Sequence, residues 1–348
     1  LDGGDLDSAA FAQWVDGKET AVSAEQAKDG PAAVVLLDGT LPKSPRGIRF
    51  GTGTATGPRH LRIGFTRSVP VGSALVAGGG RLSVLKPEAA YPGDLADDTQ
   101  WIPAERLTAE EASRQPVGGY ASWVLPAGTA TRAMRFTHEP TPGDREMAGQ
   151  LQGVLIVPGR FANVAPQALP QTAARDDKSA RLVNEQYDGW GAWDNGEGGA
   201  AVAISADRPE VITLTWPSPV RLSGLGLLWA GFSTVEVDAF TGKADEIVRE
   251  AAETSWRQVA ARDDLQLGYT FVMAPNFIAF KQPVTTRAIR LRITKALEGP
   301  QHPHIEGKIK DGHRVWLGEV LAFSEVADDA SMASLILPRA VEEPPPIP

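Results

Sequence analysis

Three of the five histidines fall close together: His302 and His304 flank Pro303, and His313 follows. Neutral imidazoles so grouped can ligate a metal. The proline forces an extended turn, however, and no helical His-Glu-x-x-His pair is present, so the spacing favours a solvated or ligand-contacting loop over a catalytic zinc site. Adjacent carboxylates occur at Asp97–Asp98, Glu110–Glu111, Asp176–Asp177 and Asp263–Asp264. All sit in polar, turn-like sequence, where solvated surface is the ordinary explanation; acid–base catalysis needs separated carboxyls with tuned pKa values. The glycine runs Gly51-Thr52-Gly53-Thr54 and Gly78-Gly79-Gly80 open no helix and lack the lysine of a phosphate loop, so they read as β-turns. With no cysteine in the chain, disulfides, thiolate nucleophiles and cysteine-bound zinc are excluded.

The elements that must position these residues are short. Apolar stretches alternate with Gly, Pro and Asp clusters, the pattern of sandwiches and barrels rather than of alternating strands and helices. Val211–Trp216 and Thr234–Phe240 alternate inward and outward side chains, Leu222–Trp229 is an apolar strand, and Trp256–Val259, Ala288–Ile293 and Val315–Phe323 complete the set. Within Ala288–Ile293, the apolar residues share one face and Arg290 and Arg292 the other, which predicts one core side and one solvent side. Leu61–Phe65, Leu82–Leu85, Ala133–Phe136 and Gly153–Val157 follow the same course earlier in the chain. Helix signals are few: Ser8 caps a brief expected helix carrying Phe11, Trp14 and Val15, and Thr108 with Glu111 has capping-box spacing.

The chain also repeats itself at domain-sized spacing. Thr131-Arg132-Ala133-Met134-Arg135-Phe136 returns as Thr286-Arg287-Ala288-Ile289-Arg290-Leu291, 155 residues later, and Trp101 and Trp256 share that offset. The expected organisation is an N-terminal extension with a short helix over 1–24, a first β-sandwich over 25–165, a linker over 166–177, a second β-sandwich over 178–327, and a C-terminal extension with a proline-rich linker over 328–348. With 42% hydrophobic and 22% charged residues, the composition suits packed domains. A net charge of −9 argues against nucleic acid as a partner, and no apolar run is long enough to span a bilayer.

These residues resemble the discoidin-like, or coagulation-factor type C, domains within the galactose-binding-like jelly rolls, which include many bacterial carbohydrate-binding modules. In the second copy the resemblance is carried by Tyr187-Asp188-Gly189 with Trp193, Ile212-Thr213-Leu214, Pro219-Val220, Gly224-Leu225, Trp256 with Val259, Pro283-Val284, Arg287 to Leu291 and Leu317-Gly318-Glu319-Val320. The first copy shares Leu37-Asp38-Gly39, Val69-Pro70-Val71, Trp101 and Arg132 to Phe136 at looser spacing. The resemblance implies two tandem jelly-roll antiparallel β-sandwiches, an all-β chain, with ligand gripped by loops at one end of the strands. It further implies sugar binding by stacked aromatics and hydrogen-bonding side chains, since a pyranose offers an apolar C–H face and a polar rim. On that basis Tyr187, Trp190, Trp193, His302, His304, His313 and Arg314 are the candidate ligand residues, with Tyr269, Phe271 and Phe277 in a further aromatic segment. Trp101, Trp256 and Trp229 are assigned to the scaffold.

The resemblance also implies a structural calcium in the second copy, with Asp188 and Glu319 as oxygen ligands; the first copy has Gly153 where Glu319 aligns. The expectation is therefore a non-catalytic carbohydrate-binding pair from a larger secreted or surface bacterial protein, its partners being glycan and further domains of the same polypeptide. The alternatives are a structural or protein-interaction module of a cell-surface assembly, and an accessory region of a polysaccharide-degrading enzyme.

Overall fold

Strand pairing sorts the elements into two sets. The structure, a computed structural model, describes residues 6–15, 17–21, 48–49, 57–78, 80–107, 120–139, 150–185, 192–196, 199–265, 275–296 and 312–327. Contacts group into two units, Leu1–Ala162 with Val326–Ile336, and Asn163–Glu325 with Leu337–Pro348.

The first unit holds β1 (Leu6–Val15), β2 (Lys18–Ala21), β3 (Ile48–Arg49), β4 (Arg59–Pro70), β5 (Ser73–Gly78), β6 (Arg81–Leu85), β7 (Trp101–Pro103), β8 (Glu105–Arg106), β9 (Tyr120–Val124), β10 (Ala130–His138) and β11 (Gln150–Val157). They form two antiparallel sheets, ordered β2-β1-β4-β10-β6-β7 and β3-β11-β5-β9-β8. Side chains of one strand face pass inward at every second residue. Leu61, Ile63 and Phe65 of β4 and Met134 and Phe136 of β10 thereby meet Val76 of β5, Trp123 of β9 and Val154 of β11 in the core between the sheets.

After β12 (Phe161–Asn163), the second unit holds β13 (Leu169–Thr172), β14 (Trp193–Asp194), β15 (Glu210–Leu228), β16 (Phe232–Phe240), β17 (Trp256–Arg262), β18 (Pro275–Ala296), β19 (Trp316–Leu317) and β20 (Glu319–Glu325). β15 and β18 are long, and their register breaks between Thr215 and Val220. Pro217 and Pro219 lie in that gap, and proline cannot donate to a ladder. The first half of β15 pairs with β13 and with the second half of β18, while its second half pairs with β20 and the first half of β18. Read this way, the order β13-β15-β18-β16-β17 matches β1-β4-β10-β6-β7, and β20-β15-β18 matches β11-β5-β9.

The correspondence reaches individual side chains. Thr131 Oγ1 lies 2.9 Å from the carbonyl oxygens of both Leu85 and Ala133, and Thr286 Oγ1 lies 2.9 Å from that of Phe240 and 2.7 Å from that of Ala288. The Arg135 guanidinium stacks 4.9 Å from the Trp101 ring centre, and the Arg290 guanidinium 4.7 Å from that of Trp256. Arg135 Nε donates to Ser83 Oγ at 3.1 Å, and Arg290 Nε to Asp238 Oδ2 at 2.8 Å. Arg135 pairs with Asp98, and Arg290 with Glu253. Each of these partners differs in number by the same 155 residues.

Three expectations need correction. Arg135 and Arg290 do not face solvent: they are 6% and 9% exposed. The segments 86–100 and 241–255 fold over the outer sheet face and end in the tryptophan that caps each arginine, so alternation correctly separated the two faces but not their surroundings. The expected helix at Ser8 is strand β1, because pairing with β4 outweighs weak local helix preference. Residues 166–177 are no linker either, since β13 joins the second unit's sheet and Asp176–Val183 forms a 3₁₀ helix beside it. The second helix signal, at Thr108, lies outside the described residues.

Removing Arg290 leaves the Asp238 carboxylate, whose side chain is 6% exposed, buried without its guanidinium. Arg290→Ala is expected to cost about 3–5 kcal/mol of unfolding free energy, with most of it recovered in the Arg290→Met, Asp238→Leu double variant. Urea denaturation of the single and double variants measures both.

Candidate functional site

Trp193, His313 and Arg314 of the second copy lie where β14 pairs with β19, setting Trp193 opposite Leu317 and Asp194 opposite Trp316. Asn195 clamps this corner: its Nδ2 donates to the His313 carbonyl at 2.9 Å and its Oδ1 accepts from Val315 N–H at 3.2 Å. Gly199, at φ +62°, packs so closely that a Cβ there would lie 2.4 Å from the His313 carbonyl oxygen, which only glycine avoids. His313 donates from Nδ1 to Ala200 O at 2.6 Å. Arg314 is 3% exposed, with Nη2 3.4 Å from Asp194 Oδ1. Beneath them burial raises the pKa of Glu210, against hydrogen bonds from Asn195 and from the backbone of Ala174 and Val211. His313 and Arg314 therefore sit together, as polar anchors of a folded corner.

Trp193 is corrected outright as a stacking residue. Its ring is fully buried and its Nε1 donates to Ala174 O at 3.1 Å, so it presents no face to a sugar. Tyr187, Asp188, Trp190, His302 and His304 lie outside the described residues, as do Tyr269 and Phe271. Phe277 is 37% exposed on β18 and stands 6.0 Å from Phe323. Trp229 is buried, as a scaffold residue should be.

Glu319 is fully buried, and its Oε1 accepts from Glu185 N–H at 3.0 Å. Among the described residues no group of three or more His, Cys, Asp or Glu side chains is placed to hold a metal ion. A hard carboxylate oxygen held beside the backbone that runs on toward Asp188 fits one part of a calcium shell, in which carboxylates and carbonyls supply the ligands.

A site that sequence reasoning missed opens in the first unit. A pocket of ≈ 460 Å³ is lined by Trp14 of β1, His60 of β4, Arg81 and Ser83 of β6, Trp101 of β7 and Arg135, Thr137 and Glu139 at or near β10, with Asp98 from the covering segment. Trp14 is half-buried and its ring lies 5.2 Å from that of His60. Two charge pairs edge the cavity: Arg81 with Glu139, both largely exposed, and buried Arg135 with Asp98 at 2.7 Å. The cavity thus combines an indole wall with donors and acceptors of both charges, the combination that suits a ligand with an apolar face and a hydroxylated rim.

The side chains of this pocket were hidden by their roles. Trp101 repeats between copies and so reads as scaffold, Trp14 falls in the expected helix, and His60 carries no motif. One signal was available. At the shared offset, Ser83 stands where the second copy has Asp238, so the copies differ in charge at the arginine.

Comparison with solved structures finds several chains with weak overall similarity. The chain is similar to a family 32 carbohydrate-binding module of C. perfringens NanJ solved with galactose, at 8% identity over 47% of this chain and 99% of that one, with TM-score 0.33. It is similar also to chitosan-binding module 1 of a chitosanase/glucanase from Paenibacillus sp. IK-5, at 14% identity over 46% and 98%, with TM-score 0.31. A third is an F-lectin from striped bass serum, at 11% identity over 93% and 100%, with TM-score 0.31. No protein-family model and no curated protein sequence matches the chain. The all-β, antiparallel sandwich class rests on the strand pairing itself, and no helix among the described residues is long and apolar enough to cross a membrane.

His60 supplies a pH test of this site. Burial, and then the charge of Arg135, lower its pKa from 6.5 to about 4, and its Nδ1 lies 2.9 Å from Thr137 Oγ1. Because the unfolded chain takes up the proton first, the contribution is present above pH 6.5 and is lost as pH falls toward 4. It amounts to about 3 kcal/mol. His60→Gln is expected to remove that part of the decline, about one proton's worth of slope, in denaturation curves recorded from pH 7 to pH 4.

Proposed function

We propose that this chain is a non-catalytic carbohydrate-binding protein, with the pocket of the first unit as its principal sugar site. The observation that carries the reading is the pocket's construction: the half-buried Trp14 indole stands beside His60 in a cavity also lined by Arg135 with Asp98 and by Arg81 with Glu139. An indole gives the C–H face of a pyranose a surface to stack on, and the paired charges satisfy its hydroxyls without being left bare when the pocket empties. The shared strand order and the constant offset support origin of the two units by duplication, and a secreted or surface-attached bacterial setting accompanies the reading.

A second sugar contact belongs to the same proposal. In the sequence, Tyr187 and Trp190 shortly precede Asn195, and His302 and His304 precede His313 and Arg314, the residues that anchor the corner, and two sites on one chain would add avidity on a polymeric glycan. Calcium near Glu319 and Asp188 would brace that corner.

Calorimetric titration and affinity electrophoresis against neutral, acidic and sulfated oligosaccharides test the main reading. Trp14→Ala is expected to weaken binding at least tenfold, about 1.4 kcal/mol, with the fold intact; Trp190→Ala reports on the second contact alone. Absence of binding across all three glycan classes would sink the sugar reading and favour a structural or protein-interaction module. For the metal, calcium is expected to raise the melting temperature of the wild type and leave Glu319→Gln unmoved, an effect of about 2.7 kcal/mol at a hundredfold excess over Kd.

A further inference from the structure

We infer that the pocket of the first unit selects a sugar bearing a carboxylate, a uronic acid residue, over its neutral counterpart. The inference rests on the reading of that pocket as a sugar site, and it comes from comparing two arginines in the same place in the two units.

Arg290 meets two carboxylates. Its Nε donates to buried Asp238 at 2.8 Å, and Nη1 and Nη2 grip Glu253 at 2.9 and 2.5 Å in the two-pronged manner that suits a guanidinium. Arg135 meets one. Ser83 replaces the aspartate and gives only a hydroxyl oxygen to Nε, while one N–H of Nη1 goes to the Leu95 carbonyl at 3.0 Å. Asp98 reaches Nη2 alone, and its side chain is 85% exposed, so water competes for it throughout. The pKa directions report the same contrast. Burial lowers that of Arg135 despite its bond to Asp98, whereas burial of Arg290 is outweighed by Glu253 and Asp238 together and its pKa is raised.

The pocket opens at this under-compensated guanidinium; beside Arg290 the buried Asp238 already fills the corresponding place. A ligand carboxylate entering past Trp14 can displace Asp98 into solvent, where that side chain mostly resides already, and supply the two-oxygen partner that Glu253 supplies in the second unit. Arg81, exposed at the rim, adds a second cation for a neighbouring acidic residue of the same polymer. His60, kept neutral at pH 7, brings no charge of its own to oppose or assist.

The test uses the full chain and matched probes: oligomers of galacturonate, glucuronate and mannuronate, each alongside its carboxyl-reduced form, with a sulfated galactan as a separate anionic arm. At least one uronate is expected to bind tenfold or more tightly than its reduced form. Ser83→Asp, which copies the arrangement around Arg290, is expected to bring that affinity down to the level of the reduced sugar. Asp98→Asn, at a largely exposed position, is expected to tighten uronate binding severalfold by removing the competitor. If the reduced sugars bind as well as the uronates and neither variant changes the ratio, the acidic preference is wrong while the sugar site stands. Tighter binding of sulfated galactan than of every uronate also overturns it. If no probe binds and Trp14→Ala changes nothing, the sugar reading itself fails.

Discussion

A guanidinium cannot be set against a sheet face and covered unless something replaces the water it loses. In both units that requirement organises what surrounds the strand that carries the arginine, β10 in the first and β18 in the second. Arg135 and Arg290 each lie on the face away from the core, and each is roofed by a segment that leaves the preceding strand, crosses the arginine and returns as an edge strand beginning with tryptophan. The indole supplies a π face, the strand below supplies Ser83 or Asp238, and the turn of the roof supplies Asp98 or Glu253. The neighbouring threonine, bonded to Leu85 in one unit and Phe240 in the other, ties the strand to the start of the roof. Take away the arginine and the roof has nothing to close on.

The same constraint explains why the two units can differ where they do. The apolar core between the sheets needs only volume and alternation, and Met134 against Ile289 is within that tolerance. The arginine needs compensating charge, and that can come from the protein or from outside. In the second unit the protein supplies it in full. In the first, a hydroxyl takes the place of a carboxylate and a cavity opens beside it, which turns a structural element into a place where something else can bind.

Much of this architecture was legible in the residues. Strands such as Leu61–Phe65, Thr234–Phe240 and Ala288–Ile293 lie where their alternation puts them, because one face of each is core and the pattern is local. The 155-residue offset of the sequence recurs between the side chains that surround Arg135 and Arg290. Local pattern failed where pairing overrode it: Leu6–Val15 reads as a helical face yet extends along β4, and the proline-bearing stretch near Leu169 reads as a spacer yet joins a sheet through β13. Trp193 looked like a stacking residue because an aromatic in a glycine-rich stretch has no period to show which way it points; its hydrogen bond to Ala174 turns it inward.

By itself, then, the sequence determined the all-β class, the positions of the main strands, the 155-residue recurrence of its strand motif and the absence of thiol chemistry, all of which depend on residue type and short-range order. Only the tertiary structure decided that the arginine face is covered, and that Trp14, His60, Ser83, Asp98 and Arg135 line one pocket. Those five come from four separate strands and a crossing segment. Their meeting depends on strand order and on the path of the roof, which long-range pairing sets and no local pattern encodes.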